Sequence, residues 1–172
     1  MPNTYTLISS NVLSSSAASV TFSAIPSTYT DLVLRCSLRS DAGSTLENVT
    51  IRYNSDSATN YSLTRLRGDG SAASSSASSS ANEMTFFAAA DGSTATSNTF
   101  SSWELYIPSY TVSQNKPMGS FQVQENNTTA ANTTVVATLW RNTAAITSML
   151  ISAQSSNFVS GSSFYLYGIK NS

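Results

Sequence analysis

The sequence predicts an all-β fold: one β-sandwich domain of jelly-roll type, built from about ten short antiparallel strands. Three observations predict it. Apolar and polar residues alternate with period two in run after run. Turn-forming residues interrupt those runs at short intervals. No window of about ten residues carries an apolar stripe at helical spacing.

Taken in order, the first runs are expected at 4–9 and 19–25. The clearest strand follows, with Leu32, Leu34, Cys36 and Leu38 on one face and Arg35, Ser37 and Arg39 on the other. Val49, Ile51 and Tyr53 alternate with Asn48, Thr50 and Arg52. Runs at 60–66 and 84–89 come next. Trp103, Leu105 and Ile107 then alternate with Ser102, Glu104 and Tyr106. Phe121 and Val123 alternate with Gln122 and Gln124. Val135, Ala137 and Leu139 alternate with Thr134, Val136, Thr138 and Trp140. The last runs lie at 146–151 and 164–170. Pro26-Ser27, Asp41-Ala42-Gly43, Gly68-Asp69-Gly70, Asp91-Gly92, Pro108-Ser109 and Asn126-Asn127 supply the breaks.

One segment stands apart. Residues 71–82 are almost wholly Ser and Ala, with too little apolar surface to offset the entropy of ordering. They are expected to form a loop between two strands, within a single domain spanning 1–172.

At 172 residues the chain can bury roughly two thirds of its unfolded surface in one core, so neither disulfides nor metals are needed for folding. Charged residues make up 10% of it, against about 25% in an ordinary domain. Ser and Thr, about a third of the chain, fill the gap. The only lysines are Lys116 and Lys170. Such a surface suits a protein packed against neighbours, because long charged side chains are depleted from interfaces. A net charge of −1 with no basic run argues against nucleic-acid binding. No apolar run is long enough for a membrane-spanning helix. The start, Met1-Pro2-Asn3-Thr4-Tyr5-Thr6-Leu7, lacks the pattern of a secretory signal. Cys36, the single cysteine, falls within an apolar alternation and is expected in the core.

Chemistry is sparse, and no catalytic residue, metal site or cofactor is expected. The chain has no histidine, which removes Ser-His-Asp catalysis and histidine metal ligation together. One cysteine cannot make a thiolate zinc site. Carboxylate pairs of glycosidase type are the residual possibility, with Glu104 set mid-strand beside Trp103 and Tyr106. Its simpler role is an outward-facing strand carboxylate. Arg67-Gly68-Asp69 spells an adhesion tripeptide, but the same residues close a strand and enter a turn. The candidate interface residues are Ser74, Ser76 and Ser79 of the Ser/Ala segment, the aromatics Tyr106, Tyr110 and Trp140, and Arg141.

Six stretches carry a family resemblance. Thr4-Tyr5-Thr6-Leu7-Ile8-Ser9-Ser10, Ser19-Val20-Thr21-Phe22-Ser23-Ala24-Ile25-Pro26 and Tyr29-Thr30-Asp31-Leu32-Val33-Leu34 open the chain. Residues 98–115 and Leu139-Trp140-Arg141-Asn142-Thr143-Ala144-Ala145-Ile146 continue it. Gly161-Ser162-Ser163-Phe164-Tyr165-Leu166-Tyr167-Gly168-Ile169-Lys170 closes it. Together they resemble small β-sandwich virion structural proteins of tailed bacteriophages of marine and cyanobacterial type. The likeness covers nearly the whole chain and contains no catalytic motif. It implies a virion component on the outer surface of the particle, self-associating, most often as a homotrimer. Its partner would be the major capsid protein or another virion protein. Two roles follow from it: a capsid decoration (cement) protein, or a tail-fibre or receptor-binding head that contacts host surface glycans.

Overall fold

The computed structural model describes residues 4–127 and 130–170. Among them are twelve strands and no helix. They are β1 (Tyr5–Val12), β2 (Ser19–Phe22), β3 (Asp31–Leu38), β4 (Leu46–Tyr53), β5 (Tyr61–Gly68) and β6 (Ala73–Ala81). The second half supplies β7 (Met84–Asp91), β8 (Ser101–Ile107), β9 (Lys116–Gln124), β10 (Asn132–Trp140), β11 (Met149–Ala153) and β12 (Ser163–Ile169). An eight-stranded sheet runs β1-β12-β3-β8-β9-β10-β5-β6, and a four-stranded sheet runs β2-β11-β4-β7. All ladders within the two sheets are antiparallel. The expected all-β sandwich is therefore present.

The period-two pattern explains how the sheets meet. Leu32, Leu34, Cys36 and Leu38 of β3, Trp103, Leu105 and Ile107 of β8, and Phe164 and Leu166 of β12 all point inward and are buried. They face Val20, Phe22, Val49, Ile51, Tyr53, Met149 and Ile151 of the small sheet in one hydrophobic core. Phe86 of β7 meets Trp103 with ring centroids 4.9 Å apart. At one corner the sheets are joined: Ser40 N–H donates to the Asp91 carbonyl at 2.7 Å, beside a parallel bridge from Arg39 to Asp91.

Strand β7 of the small sheet lies against β3 and β8 and also against β9, β10 and β5 of the large one. If the β5–β6 and β9–β10 pairs are set aside, two four-stranded sheets remain, β1-β12-β3-β8 over β2-β11-β4-β7. The other four strands extend the large sheet sideways. A cluster on the extension's inner side anchors it. Trp140 of β10 lies 5.5 Å from the Tyr53 ring of β4, and its indole N–H donates to Asp56 Oδ2 at 2.8 Å. Tyr61 stacks on Trp140 at 6.5 Å and donates its hydroxyl proton to the Asp56 carbonyl at 3.0 Å. Beside it Lys116 is fully buried, its ammonium donating to the carbonyls of Val112 at 2.7 Å, of Gln114, and of Thr143 at 3.5 Å.

One expectation is corrected here, the loop at 71–82. Residues 73–81 form strand β6, paired with β5 from Gly68↔Ala73 to Leu63↔Ser78 without interruption. The turn between them is built locally. Asp69 Oδ1 accepts from Ser71 N–H at 3.0 Å and from Ala72 N–H at 2.9 Å, and Gly70 takes φ +86°. A bond from Ser71 Oγ, with those two from the backbone, holds the Asp69 carboxyl down at about 2. Strand β6 buries almost no side-chain surface. Backbone ladder bonds to β5 order it instead.

The alternation expected in β9 is present, and in it Gln122 and Gln124 face the core while Phe121 is 50% exposed. Pairing sets this. Trp103 and Leu105 of β8 must face the small sheet, and they sit opposite Gln122 and Ser120. A slip of one residue would reverse every side chain on the strand. In β10 the same register turns Thr134, Val136, Thr138 and Trp140 inward and leaves Val135 52% exposed.

Candidate interaction surface

Among the described residues no strand or helix forms a second layer over the outer face of the large sheet. Register alignment shows what it presents. One row of directly opposed residues crosses all eight strands: Ser10, Tyr165, Arg35, Glu104, Phe121, Val135, Leu66 and Ser75. In the middle of it Phe121, Val135 and Leu66 are neighbours, exposed by 50%, 52% and 58%. The next row sets Gly119, Ala137, Thr64 and Ala77 beside them. A side chain at Gly119 would meet nothing within 4 Å. The result is an apolar ridge flanked by small residues.

Charge on this face is nearly absent. On the outward positions of β8, β9, β10 and β5 the single charged side chain is Glu104. Its Oε2 accepts from Arg35 Nε at 2.7 Å. Both side chains are about half exposed, so the pair contributes at most about 1 kcal/mol. Its larger effect is to leave the face without net charge. Toward β1 the surface becomes aromatic. Tyr5 and Tyr167 meet edge to face at 6.4 Å, and the Arg35 guanidinium lies 5.7 Å from the Tyr5 ring centre. Tyr106 donates to Asp31 Oδ2 at 2.9 Å, a bond that raises its phenol pKa.

With strands about 4.8 Å apart and residues about 3.4 Å apart, the face covers about 1,000 Å². One partner in a standard protein–protein interface contributes about 800 Å². The two sides of the extension therefore contrast sharply. Outside lie Phe121, Val135 and Leu66. Inside, Gln122 Oε1, both amide atoms of Gln124, Thr134 Oγ1 and Thr138 Oγ1 are buried without a hydrogen-bond partner among the described residues.

The expected interface residues divide. Ser74, Ser76 and Ser79 stand exposed on β6, and Tyr106 stands 40% exposed on the outer face. Arg141 follows β10, exposed, its guanidinium donating to the Thr59 carbonyl. Tyr110 and Trp140 are fully buried, which leaves neither ring a surface to offer. Tyr110 donates to the Pro26 carbonyl, and Trp140 belongs to the anchoring cluster. The residues missed by sequence reasoning are Phe121, Val135 and Leu66. Period two grouped them correctly with their strand neighbours. Seeing that they face outward required the strand order.

The carboxylates are occupied with structure. Glu83 pairs with Arg52 at 2.9 Å, Asp41 accepts from Asn157 N–H at 2.7 Å, and Glu47 accepts from Ser155 N–H at 3.2 Å. Asp91 is buried, and desolvation raises its pKa even though Asn126 donates to it at 3.0 Å. Among the described residues no three Cys, Asp or Glu side chains gather as a metal site would require. In the Arg67-Gly68-Asp69 turn, the Arg67 side chain is directed to Asn132 Oδ1 and Asp69 to the turn amides. No protein-family model, no curated protein and no solved structure matches the chain.

Proposed function

We propose that this chain is a non-catalytic virion structural protein of a tailed bacteriophage, a capsid decoration protein that binds and stabilises the assembled shell. The observation that carries the reading is the outer face of the large sheet: apolar at Phe121, Val135 and Leu66, without net charge, and wide enough for a standard interface. A monomeric protein gains nothing by exposing such a row, while a protein seated on a lattice of shell subunits buries it. Two further supports are the resemblance of the chain to small virion proteins and the jelly-roll-like order left when the extension is set aside. The mechanism is mass action. Binding the assembled shell and not its free subunits draws the equilibrium toward the closed particle.

A second reading rests on a different part of the same face. Tyr5, Tyr106, Tyr165 and Tyr167 cluster toward β1, and such rings stack on sugars in a receptor-binding head. Sedimentation separates the two. The purified protein is spun with intact phage shells that lack it, and separately with host cells or isolated envelope. Stoichiometric pelleting with shells, with improved shell survival on heating, supports decoration. Pelleting only with cells or envelope transfers the role to host recognition.

A further inference from the structure

Each sheet edge is a row of unpaired backbone donors and acceptors, and natural proteins blunt such edges. Three of the four edges here are blunted. β2 has only four residues. β7 carries a register shift where it meets β4 between Glu47 and Val49, and ends in the acid Asp91. β1 is bulged between Leu7 and Ser9. β6 differs from them. It is nine residues long, contains no charge and no proline, and pairs straight from Ala73 to Ser78, the bulge coming only at its far end, where Ser80 takes φ +57°. Its side chains are exposed on both faces of the sheet.

We propose that the free edge of β6 pairs with β6 of a second copy of this chain, antiparallel about a two-fold axis near Ser76. A two-fold contact places a surface against itself, so the surface must be self-complementary. Most edge sequences fail that test by bringing like charges or bulky side chains together. Every antiparallel register of Ser74-Ser75-Ser76-Ala77-Ser78 on itself opposes only Ser and Ala. Short side chains also lose little rotamer entropy in the contact. Energetics point the same way. The strand has ordered nine residues with almost no side-chain burial in return, and a second ladder adds backbone bonds along its open side. A two-fold strand contact closes at two copies, in place of the three that the family resemblance implies. The inference stands apart from the shell-binding reading, since it concerns the free protein.

The test is the mass of the full chain by sedimentation equilibrium over a wide concentration range. The wild type is expected to follow a monomer–dimer equilibrium. Ser75→Lys/Ala77→Lys should weaken that dimer on the order of tenfold, because like charges then face each other across the ladder. Ser75→Glu/Ala77→Glu should do the same, and an equimolar mixture of the two variants should dimerise again. Both sites are exposed, so circular dichroism and melting should match the wild type. A wild type that stays monomeric or forms trimers overturns the proposal. So does an unchanged dimer in both charged variants, or a mixture that remains monomeric.

Discussion

The two halves of the large sheet solve the problem of burial in different ways. In β12, β3 and β8 the inner face is apolar and packs on the small sheet, as an amphipathic sheet should. In β9 and β10 the inner face mixes the core residues Met118, Val136 and Trp140 with Gln122, Gln124, Asn132, Thr134 and Thr138, while Phe121 and Val135 look outward. Burying an amide without a partner costs about 1–3 kcal/mol, and exposing an apolar side chain forgoes a comparable gain. Both costs fall on β9 and β10. The difference teaches that β3 and β8 give more of their length to the core than β9 and β10 do.

The largest expected effect falls in the first half. Leu34 is fully buried between the sheets, so Leu34→Ala should destabilise by about 2–5 kcal/mol in chemical denaturation. A loss under about 1 kcal/mol would show that the core is not where the comparison places it.

Alkali should break the joint between the halves. Burial raises the phenol of Tyr53 well above its usual value and pushes that of Tyr61 up to about 12. Unfolded tyrosines ionise near 10, so above that pH the unfolded state sheds protons that the native state keeps. Stability supplied by the Tyr61 phenol is complete below pH 10 and is lost as pH rises from about 10 to about 12, and Tyr53 adds to the loss above pH 10. Lys116 acts in the opposite sense. Its pKa is lowered by burial, so its charge penalises the fold until it deprotonates, and stability rises through that range. The two buried tyrosines should outweigh it. Melting temperature should fall steeply above pH 10 in the wild type and less steeply in Tyr61→Phe.

A smaller effect of reversed sign is expected inside the extension. Gln124→Met removes two unpaired buried amide atoms and keeps the volume, so it should stabilise by about 1 kcal/mol. Destabilisation by that amount would mean that the amide is satisfied and the inner face is not in deficit. Smallest of all is the effect of Val135→Ser on the free protein. Half its surface is already in water, and the melting temperature should hardly move, a change within about 0.5 kcal/mol.

Much of this fold was legible in the residues. Alternation located β3, β4, β8 and β10 within a residue or two, and the last four residues of β9, because one face of each differs in polarity from the other. What it could not supply was the direction of that face in the extension. Phe121 with Val123 reads as core when strands are taken singly, and only the opposition of Gln122 to Trp103 turns the pair outward. β6 was illegible for another reason. Its order comes from the backbone ladder with Leu63–Gly68, and a Ser/Ala run carries no side-chain signal of that. Of the candidate surface, Ser74, Ser76, Ser79 and Tyr106 could be read from composition, whereas Tyr110 and Trp140 look the same in sequence whether they face a partner or the core.

The most direct test uses a triple variant, Leu66→Ser/Phe121→Ser/Val135→Ser, sedimented beside the wild type with phage shells lacking the protein. All three positions are at least half exposed, so the variant should fold and melt much as the wild type does. The wild type should pellet with the shells and the folded variant should stay in the supernatant. A variant that pellets as fully as the wild type, or a wild type that never pellets with shells, would contradict the account of the outer face as the shell-binding surface.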